Sequence, residues 1–355
     1  MTHQERIRRR KMYIRRRRLV AATSILAFLL LVLLLVSLLR MFASPASTQP
    51  ESTPPVSSLE TAPPTLPPST AAPTTPPTRP APDPDMDAQL TAAGAVVFDI
   101  TNGQLLYSKA GEQRLYPASM TKLLTAITAI AYNGEELTFT VGDELDFVAK
   151  DASRANIQKG WKMSFSQLLD GMMLCSGNDA AYTVAVGVGR DQAGNPSLSA
   201  AEAVKVFTGL MNTMADKLGL TGSHFSTPDG YHADDHYSTP EDMAKIMAEA
   251  IGTPQIAASM LKERSSIKAL PGSAETAFGD EVTWRNTNAL LKQGGPYYYQ
   301  GCLGGKTGFT TPAGHCLAVA ARREGRTILA VVMKAPTSEE RFADAVKLLD
   351  YGFAH

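Results

Sequence analysis

Cysteine is scarce, with three residues in 355, an odd number. That excludes a disulfide-stapled scaffold. Net charge is absent too: 34 Lys and Arg face 34 Asp and Glu. Spread evenly, that balance would argue against a nucleic-acid ligand. No internal repeat occurs, so a stacked-repeat architecture is not expected. The 44% of apolar residues excludes a wholly disordered or collagen-like chain. The length admits one or two domains with a sizeable core.

The charge is not spread evenly. Residues 1–40 carry ten basic residues and one acidic residue, Glu5, a net +9. The rest of the chain holds the opposite excess. The basic run ends at Arg18, and the 21 residues from Leu19 to Leu39 carry no charge. As a helix that stretch spans roughly 30 Å, one bilayer core. Residues 1–18 are expected as a basic cytoplasmic tail and 19–39 as a transmembrane helix, with the remainder outside. A cleaved signal peptide competes, since Ala43-Ser44-Pro45-Ala46 offers a cutting site. Its apolar region would normally be shorter, at about 7–15 residues, so a retained anchor is favoured.

Residues 40–85 read as a linker. From Met41 to Asp85 there are 14 Pro and 14 Ser or Thr, with almost no large apolar side chain. Such a segment cannot bury a core. Proline fixes φ and removes N–H donors, favouring extended, solvated chain. Fully extended, it would reach roughly 140 Å.

Residues 86–355 are expected to form one α+β domain with a net charge of −6. Gly94–Ile100 and Gln104–Lys109 flank Asn102-Gly103 as a β-hairpin. Ser119–Tyr132 is apolar on nearly every face, as in a buried helix. Further helices are expected over Phe165–Leu174, Asp179–Val188, Ala200–Leu218 and Pro240–Ile251, the last capped from Ser238-Thr239-Pro240. Strands return at Cys302–Thr310, Gly314–Arg322 and Thr327–Lys334. An amphipathic helix, Ser338–Tyr351, closes the chain. Cys302 should fall opposite residue 321 or 322 and not Cys316, so free thiols are expected. His232-Ala233-Asp234-Asp235-His236 could hold a metal, but it precedes a helix cap and reads better as a polar loop.

The chemistry begins at Ser119 and Lys122. At i and i+3 on a helix the two side chains share a face. A desolvated lysine loses its proton more readily and can activate a neighbouring serine, while the helix N-terminus favours developing negative charge. Spacing alone is weak, since Ser259/Lys262 and Ser265/Lys268 repeat it and read as coincidence. Two further motifs give it company. Ser176-Gly177-Asn178 is the only Ser-x-Asn, and Lys306-Thr307-Gly308 the only Lys-Thr-Gly.

In this order the three motifs resemble those of penicillin-binding proteins and class A β-lactamases. The domain resembles the low-molecular-mass penicillin-binding proteins, the serine-type D-alanyl-D-alanine carboxypeptidases, over nearly all of 88–354. Matching stretches include Pro117–Lys122, Ser176–Ala181, Gly305–Thr310 and Arg341-Phe342 with Leu348–Phe353.

The resemblance implies a β-lactamase/carboxypeptidase-like fold and the following roles. Ser119 is the acylated nucleophile and Lys122 its base. Ser176 relays a proton to the leaving D-Ala nitrogen, and Asn178 orients substrate and Lys122. Lys306 and Thr307 hold the substrate carboxylate, and Gly308 lets substrate backbone lie along the strand. The N–H groups of Ser119 and Phe309 form an oxyanion hole. Arg341 adds positive charge near the carboxylate, unless it is merely a solvated residue of the helix's first turn. The implied partners are a peptidoglycan stem peptide ending in D-Ala-D-Ala and, as covalent inhibitors, β-lactams. No metal, cofactor or nucleic acid is implied.

Alternatives remain. A class A β-lactamase usually carries Ser-Asp-Asn and needs a Glu-x-x-Leu-Asn motif, which is not found. An endopeptidase or transpeptidase would use the same residues, and an inactive, tethered wall-binding protein is the non-enzymatic choice. Many relatives add a β-rich domain and a C-terminal amphipathic anchor. This sequence stops at His355, so the N-terminal helix is expected to do the tethering.

Overall fold

The computed structural model describes residues 79–268 and 281–355. The expected cytoplasmic tail, transmembrane helix and most of the linker lie outside the described residues. Among the described residues no helix is long and apolar enough to cross a membrane.

The first hairpin forms where alternation and turn chemistry place it. Strands β1 (Gly94–Asp99) and β2 (Gln104–Lys109) pair antiparallel. β1 stops at Asp99, one residue early, because that side chain turns into the loop. It is fully buried, accepts from the Asn102 backbone and side chain at 3.1 and 2.7 Å, and takes Arg326 Nε at 2.7 Å. A short helix, α1 (Pro84–Gln89), precedes the hairpin, so ordered structure begins ahead of the composition boundary at residue 86. Arg79 also reaches Glu112 and Glu241 at 2.9 and 2.8 Å.

After β2 come α2 (Thr121–Ala131), the pair β3 (Thr138–Thr140) and β4 (Lys162–Ser164), then α3 (Phe165–Met173), α4 (Asn178–Gln192) and α5 (Ala200–Lys217). Next are α6 (Pro240–Gly252), α7 (Pro254–Leu261) and the pair β5 (Arg264–Lys268) and β6 (Glu281–Arg285). Strands β7 (Cys302–Thr310), β8 (Gly314–Arg323) and β9 (Arg326–Ala335) lead into α8 (Ser338–Ala354). The main sheet is antiparallel throughout, in the order β2-β1-β9-β8-β7.

Both faces of this sheet are covered, so its central strands are nearly continuous apolar runs. Ala318, Ala320, Leu329 and Val331 face a core shared with α2 to α6. Their neighbours Leu317, Val319, Ala330 and Val332 face a second core with α1 and α8. The period-2 alternation of strand side chains assigns each residue to a core. Each fully buried Leu or Val contributes about 1.5–3 kcal/mol.

Helix boundaries follow their caps. Ser164 with Gln167 and Ser199 with Glu202 form capping boxes at α3 and α5. Thr239, with Pro240 at the first position, caps α6, while Ser238 bridges to Leu115 instead. The α1, β3–β4, α7 and β5–β6 elements were not expected from the sequence. They are too short for periodicity to show. The two discounted Ser-x-x-Lys repeats find a use here. Ser259, Lys262 and Ser265 converge on the buried carboxylate of Asp170 at 2.7–2.8 Å, tying α7 and β5 to α3.

One further buried carboxylate joins the last helix to the segment that leads into the first strand. Asp344 Oδ2 accepts from Thr91 N, Thr91 Oγ1 and Ala92 N, each at 2.9 Å. Removing it orphans two backbone donors. Asp344→Ala should therefore cost roughly 3 kcal/mol in denaturant unfolding. A loss below about 0.5 kcal/mol would show that water replaces it.

Candidate active site

The site starts at a tight turn. A single 3-10 turn, Ala118–Met120, leads into α2, so the regular helix begins at Thr121 and not at Ser119. Ala118 has a φ of 49°, in the left-handed region. For a non-glycine residue this costs about 1–2 kcal/mol. Two glycines let neighbouring backbone close around this turn. A Cβ on Gly230 would lie 1.9 Å from Ala118 O, and one on Gly308 would lie 2.9 Å from Pro117 O and 3.2 Å from Ser119 N. Gly308 is thus required by its approach to the Ser119 turn, a constraint separate from any role toward substrate.

Helix α2 is buried from Thr121 to Ala129, and it carries Lys122 into the interior with it. The Lys122 ammonium donates to Ser119 Oγ at 2.8 Å, Asn178 Oδ1 at 2.7 Å and Asp229 O at 2.8 Å. Three donors meet three acceptors, so a fully buried cation is completely satisfied. Burial pulls its pKa down to about 8, against the opposing pull of the Asp229 and Asp179 carboxylates.

The facing wall is built by α4 and β7. Ser176 sits at a φ of 62° just ahead of α4. It accepts from Lys306 Nζ at 2.9 Å, and the same ammonium donates to Thr307 O at 2.7 Å. Lys306 is fully buried. Desolvation lowers its pKa well below the ordinary lysine value, and the nearby charge of Lys122 lowers it further. Asn178 Nδ2 donates to Asp229 Oδ2 at 2.6 Å. Asp179 accepts from Ala155 N at 2.7 Å and Ile157 N at 3.3 Å, fixing the loop that borders the cleft.

A cleft of about 420 Å³ opens between these walls. Ser119, Ser176, Asn178, Thr307, Gly308, Phe309 and Arg341 all line it. Lys122 and Lys306 lie beneath its floor. The three motifs, scattered over the chain, thus meet at one place. β7 is the outer strand of the sheet, so one of its edges is free on this side. A larger cavity of about 480 Å³, between β3 and α4, lies away from these groups.

Arg341 is 8% exposed, which removes its reading as a solvated residue. Its guanidinium donates to Gly308 O at 3.2 Å, Cys316 O at 3.4 Å and Ser338 Oγ at 3.2 Å, bracing the strand that lines the cleft. Phe309 is half exposed and stacks on His315 at 4.4 Å. The three thiols are free, with Cys302 opposite Ala321. Burial pushes each of them up to about 11, which suppresses the thiolate.

Two features escaped the sequence reading. Asp229 contacts both Lys122 and Asn178, and Thr287 meets Thr307 through hydroxyls 2.6 Å apart. Neither belongs to a short motif. The His/Asp run also resolves. His236 is buried, with Nδ1 facing the backbone N–H groups of Ser226 and Thr227 and Nε2 2.8 Å from Thr121 Oγ1. Desolvation brings its pKa to about 3, so the ring is neutral. Among the described residues no group of three His, Cys, Asp or Glu is placed to hold a metal ion.

A family model described as D-alanyl-D-alanine carboxypeptidase, peptidase S11, matches residues 78–337. The chain belongs to this family. It is 35% identical over 269 residues to the D-alanyl-D-alanine carboxypeptidase of Streptomyces sp. strain K15, covering 75% of this chain and 88% of the relative. Identity to DacF of Bacillus subtilis is 32%, over 74% of this chain and 62% of that one. The crystal structure of the Streptomyces K15 DD-transpeptidase superimposes with a TM-score of 0.67 at 33% identity, covering 78% of this chain and 100% of that one. Penicillin-binding protein D2 of Listeria monocytogenes, in a cefotaxime-bound form, gives 0.58 at 27% identity, over 74% of this chain and 98% of that one. The expected α+β fold of this family is the fold observed.

Because Gly308 backs onto the Ser119 turn, Gly308→Ala should displace that turn and cost roughly 1–3 kcal/mol. Calorimetry checks the cost. An unchanged Tm, with Ser119 in place in the variant's crystal structure, would contradict the packing argument.

Proposed function

We propose that the chain is a serine D,D-carboxypeptidase, removing the terminal D-Ala from peptidoglycan pentapeptide stems and so limiting cross-linking. The observation that carries this reading is the 2.8 Å contact between Lys122 Nζ and Ser119 Oγ at the floor of a cleft whose other wall holds the Lys306–Ser176 pair. The substrate's terminal carboxylate lies at Thr307, with Lys306 regaining its charge beneath. The stem backbone runs along the free edge of β7, as an added strand.

In the acylation step Ser119 Oγ attacks the carbonyl between the two D-alanines, and neutral Lys122 takes the hydroxyl proton. The resulting oxyanion accepts from the Ser119 and Phe309 N–H groups. Ser176, held by Lys306, relays the proton from Lys122 to the departing D-Ala nitrogen. Asn178 positions Lys122 and the substrate amide, and Asp229 holds Asn178. Arg341 contributes positive charge at the cleft wall. Water then attacks the acyl-enzyme, and Ser119 regains its proton. A β-lactam presents its strained amide to the same atoms and leaves a slowly released adduct on Ser119.

A second reading follows from the relatives' names. The Streptomyces K15 protein is called a carboxypeptidase and also a DD-transpeptidase. An amine in place of water at the acyl-enzyme would make this chain a transpeptidase, or an endopeptidase on cross-linked stems. Product analysis on a pentapeptide with an added amino acceptor separates these. A β-lactamase is less favoured, since no glutamate lines the described cleft.

Tethering belongs to the same proposal. Residues 19–39 span the plasma membrane, the basic tail stays inside, and residues 40–85 hold the domain outside. The uncharged 21-residue run and its flanking arginines support this.

Fluorescent penicillin should give one covalent adduct, abolished in Ser119→Ala and retained in Ser265→Ala. An adduct surviving Ser119→Ala would end this mechanism. The labelling rate should rise from pH 6 and level off above about pH 8, as burial-depressed Lys122 loses its proton. Asp229→Asn removes a charge that raises that pKa, so the profile should move to lower pH. A flat profile would remove Lys122 as the base. Protease added outside intact protoplasts should digest the domain, and full protection would reverse the topology.

A further inference from the structure

Strand β9 contains one residue more than its partner needs. His315 faces Ala335 but Leu317 faces Val332, so the extra residue forms a bulge on β9. Lys334 sits in that bulge with a φ of 61°. A lysine is strained in the left-handed region. Bulges near active sites re-aim side chains, and this one does so. Met333 and Ala335 on either side are both buried, while Lys334 is exposed.

Lys334 lines a cavity of about 410 Å³ together with Arg114, Tyr116, Tyr237, Asp234 and Pro312. The Arg114 guanidinium lies 4.4 Å above the Tyr237 ring, which fixes its position. Among the described residues neither Arg114 nor Lys334 forms an ion pair. Asp234 is fully exposed and stands 3.7 Å from His232.

This cavity adjoins the catalytic cleft. Pro312 lines both, and Tyr116 meets the cleft residue His232 edge-on at 4.6 Å. Once the substrate's terminal carboxylate faces Thr307 and its scissile carbonyl faces Phe309, the upstream chain must continue toward Pro312. Pro312 follows Phe309 by three residues, in the turn that closes the β7–β8 hairpin, so at about 3.3 Å per extended residue it lies within roughly 10 Å. That is the reach of the second or third residue before the scissile bond.

We propose that Arg114 and Lys334 form an anion subsite that binds a carboxylate on the peptide substrate, two or three residues upstream of the bond cut. The inference rests on the carboxypeptidase reading and adds a specificity to it. The strained bulge and two unpaired cations are otherwise unexplained.

Two synthetic pentapeptides ending in D-Ala-D-Ala test it. They differ only in bearing carboxylates or amides at the second and third residues upstream. D-Ala release by the full-length protein is measured on both. Wild type should favour the acid peptide by roughly three- to tenfold in kcat/KM, through KM. The double variant Arg114→Gln/Lys334→Gln should bring that ratio near one, and Lys334→Arg should preserve it. A merely damaged site would slow both peptides and keep the ratio, which counts against the subsite. Equal turnover of both peptides by wild type overturns the subsite alone. No release from either removes the carboxypeptidase reading and the subsite with it.

Discussion

Burying the Lys122 ammonium is the constraint on which the site depends. An unpaired charge in that position would be prohibitively unstable. Three acceptors from three separate chain segments, Ser119, Asn178 and Asp229, meet it at 2.7–2.8 Å. Each segment is held by something else in turn. Gly230 lets the Asp229 loop close on Ala118, and Asp229 fixes the Asn178 amide. Asp179 pins the neighbouring loop. The same burial that demands this network depresses the lysine's pKa, so structural satisfaction and basicity have one cause.

A second buried lysine stands across the cleft, and the two cations repel. Lys306 has two acceptors to the three of Lys122, and its burial, with the charge of Lys122 nearby, lowers its proton affinity. A carboxylate arriving beside it would relieve that frustration. The approach of β7 to the Ser119 turn is possible because Gly308 carries no Cβ. Arg341 braces this strand through Gly308 O and Cys316 O.

Much of this was legible in the residues. The three motifs, the first hairpin, the buried helix after Ser119, the closing three strands and the opposition of Cys302 to residue 321 all follow from local turn chemistry, periodicity and register. The Ser259, Lys262 and Ser265 group reads in the sequence as a coincidence of spacing, yet the fold gathers it into one cluster. Its cohesion comes from Asp170, which lies 89 to 95 positions away. Short elements such as β3 and β4 leave too few residues for a period to register.

The sequence by itself determined the family's motif set, the strand and helix order of the domain, and the uneven distribution of charge along the chain. Those properties reside in contiguous residues. Only the tertiary structure decided that Asp229 and Thr287 join the site, that Arg341 is buried, that His236 is a neutral packing residue and that a bulge leaves Lys334 exposed at the cavity beside the cleft. Each depends on partners distant in the chain, brought together when burial must satisfy every polar group.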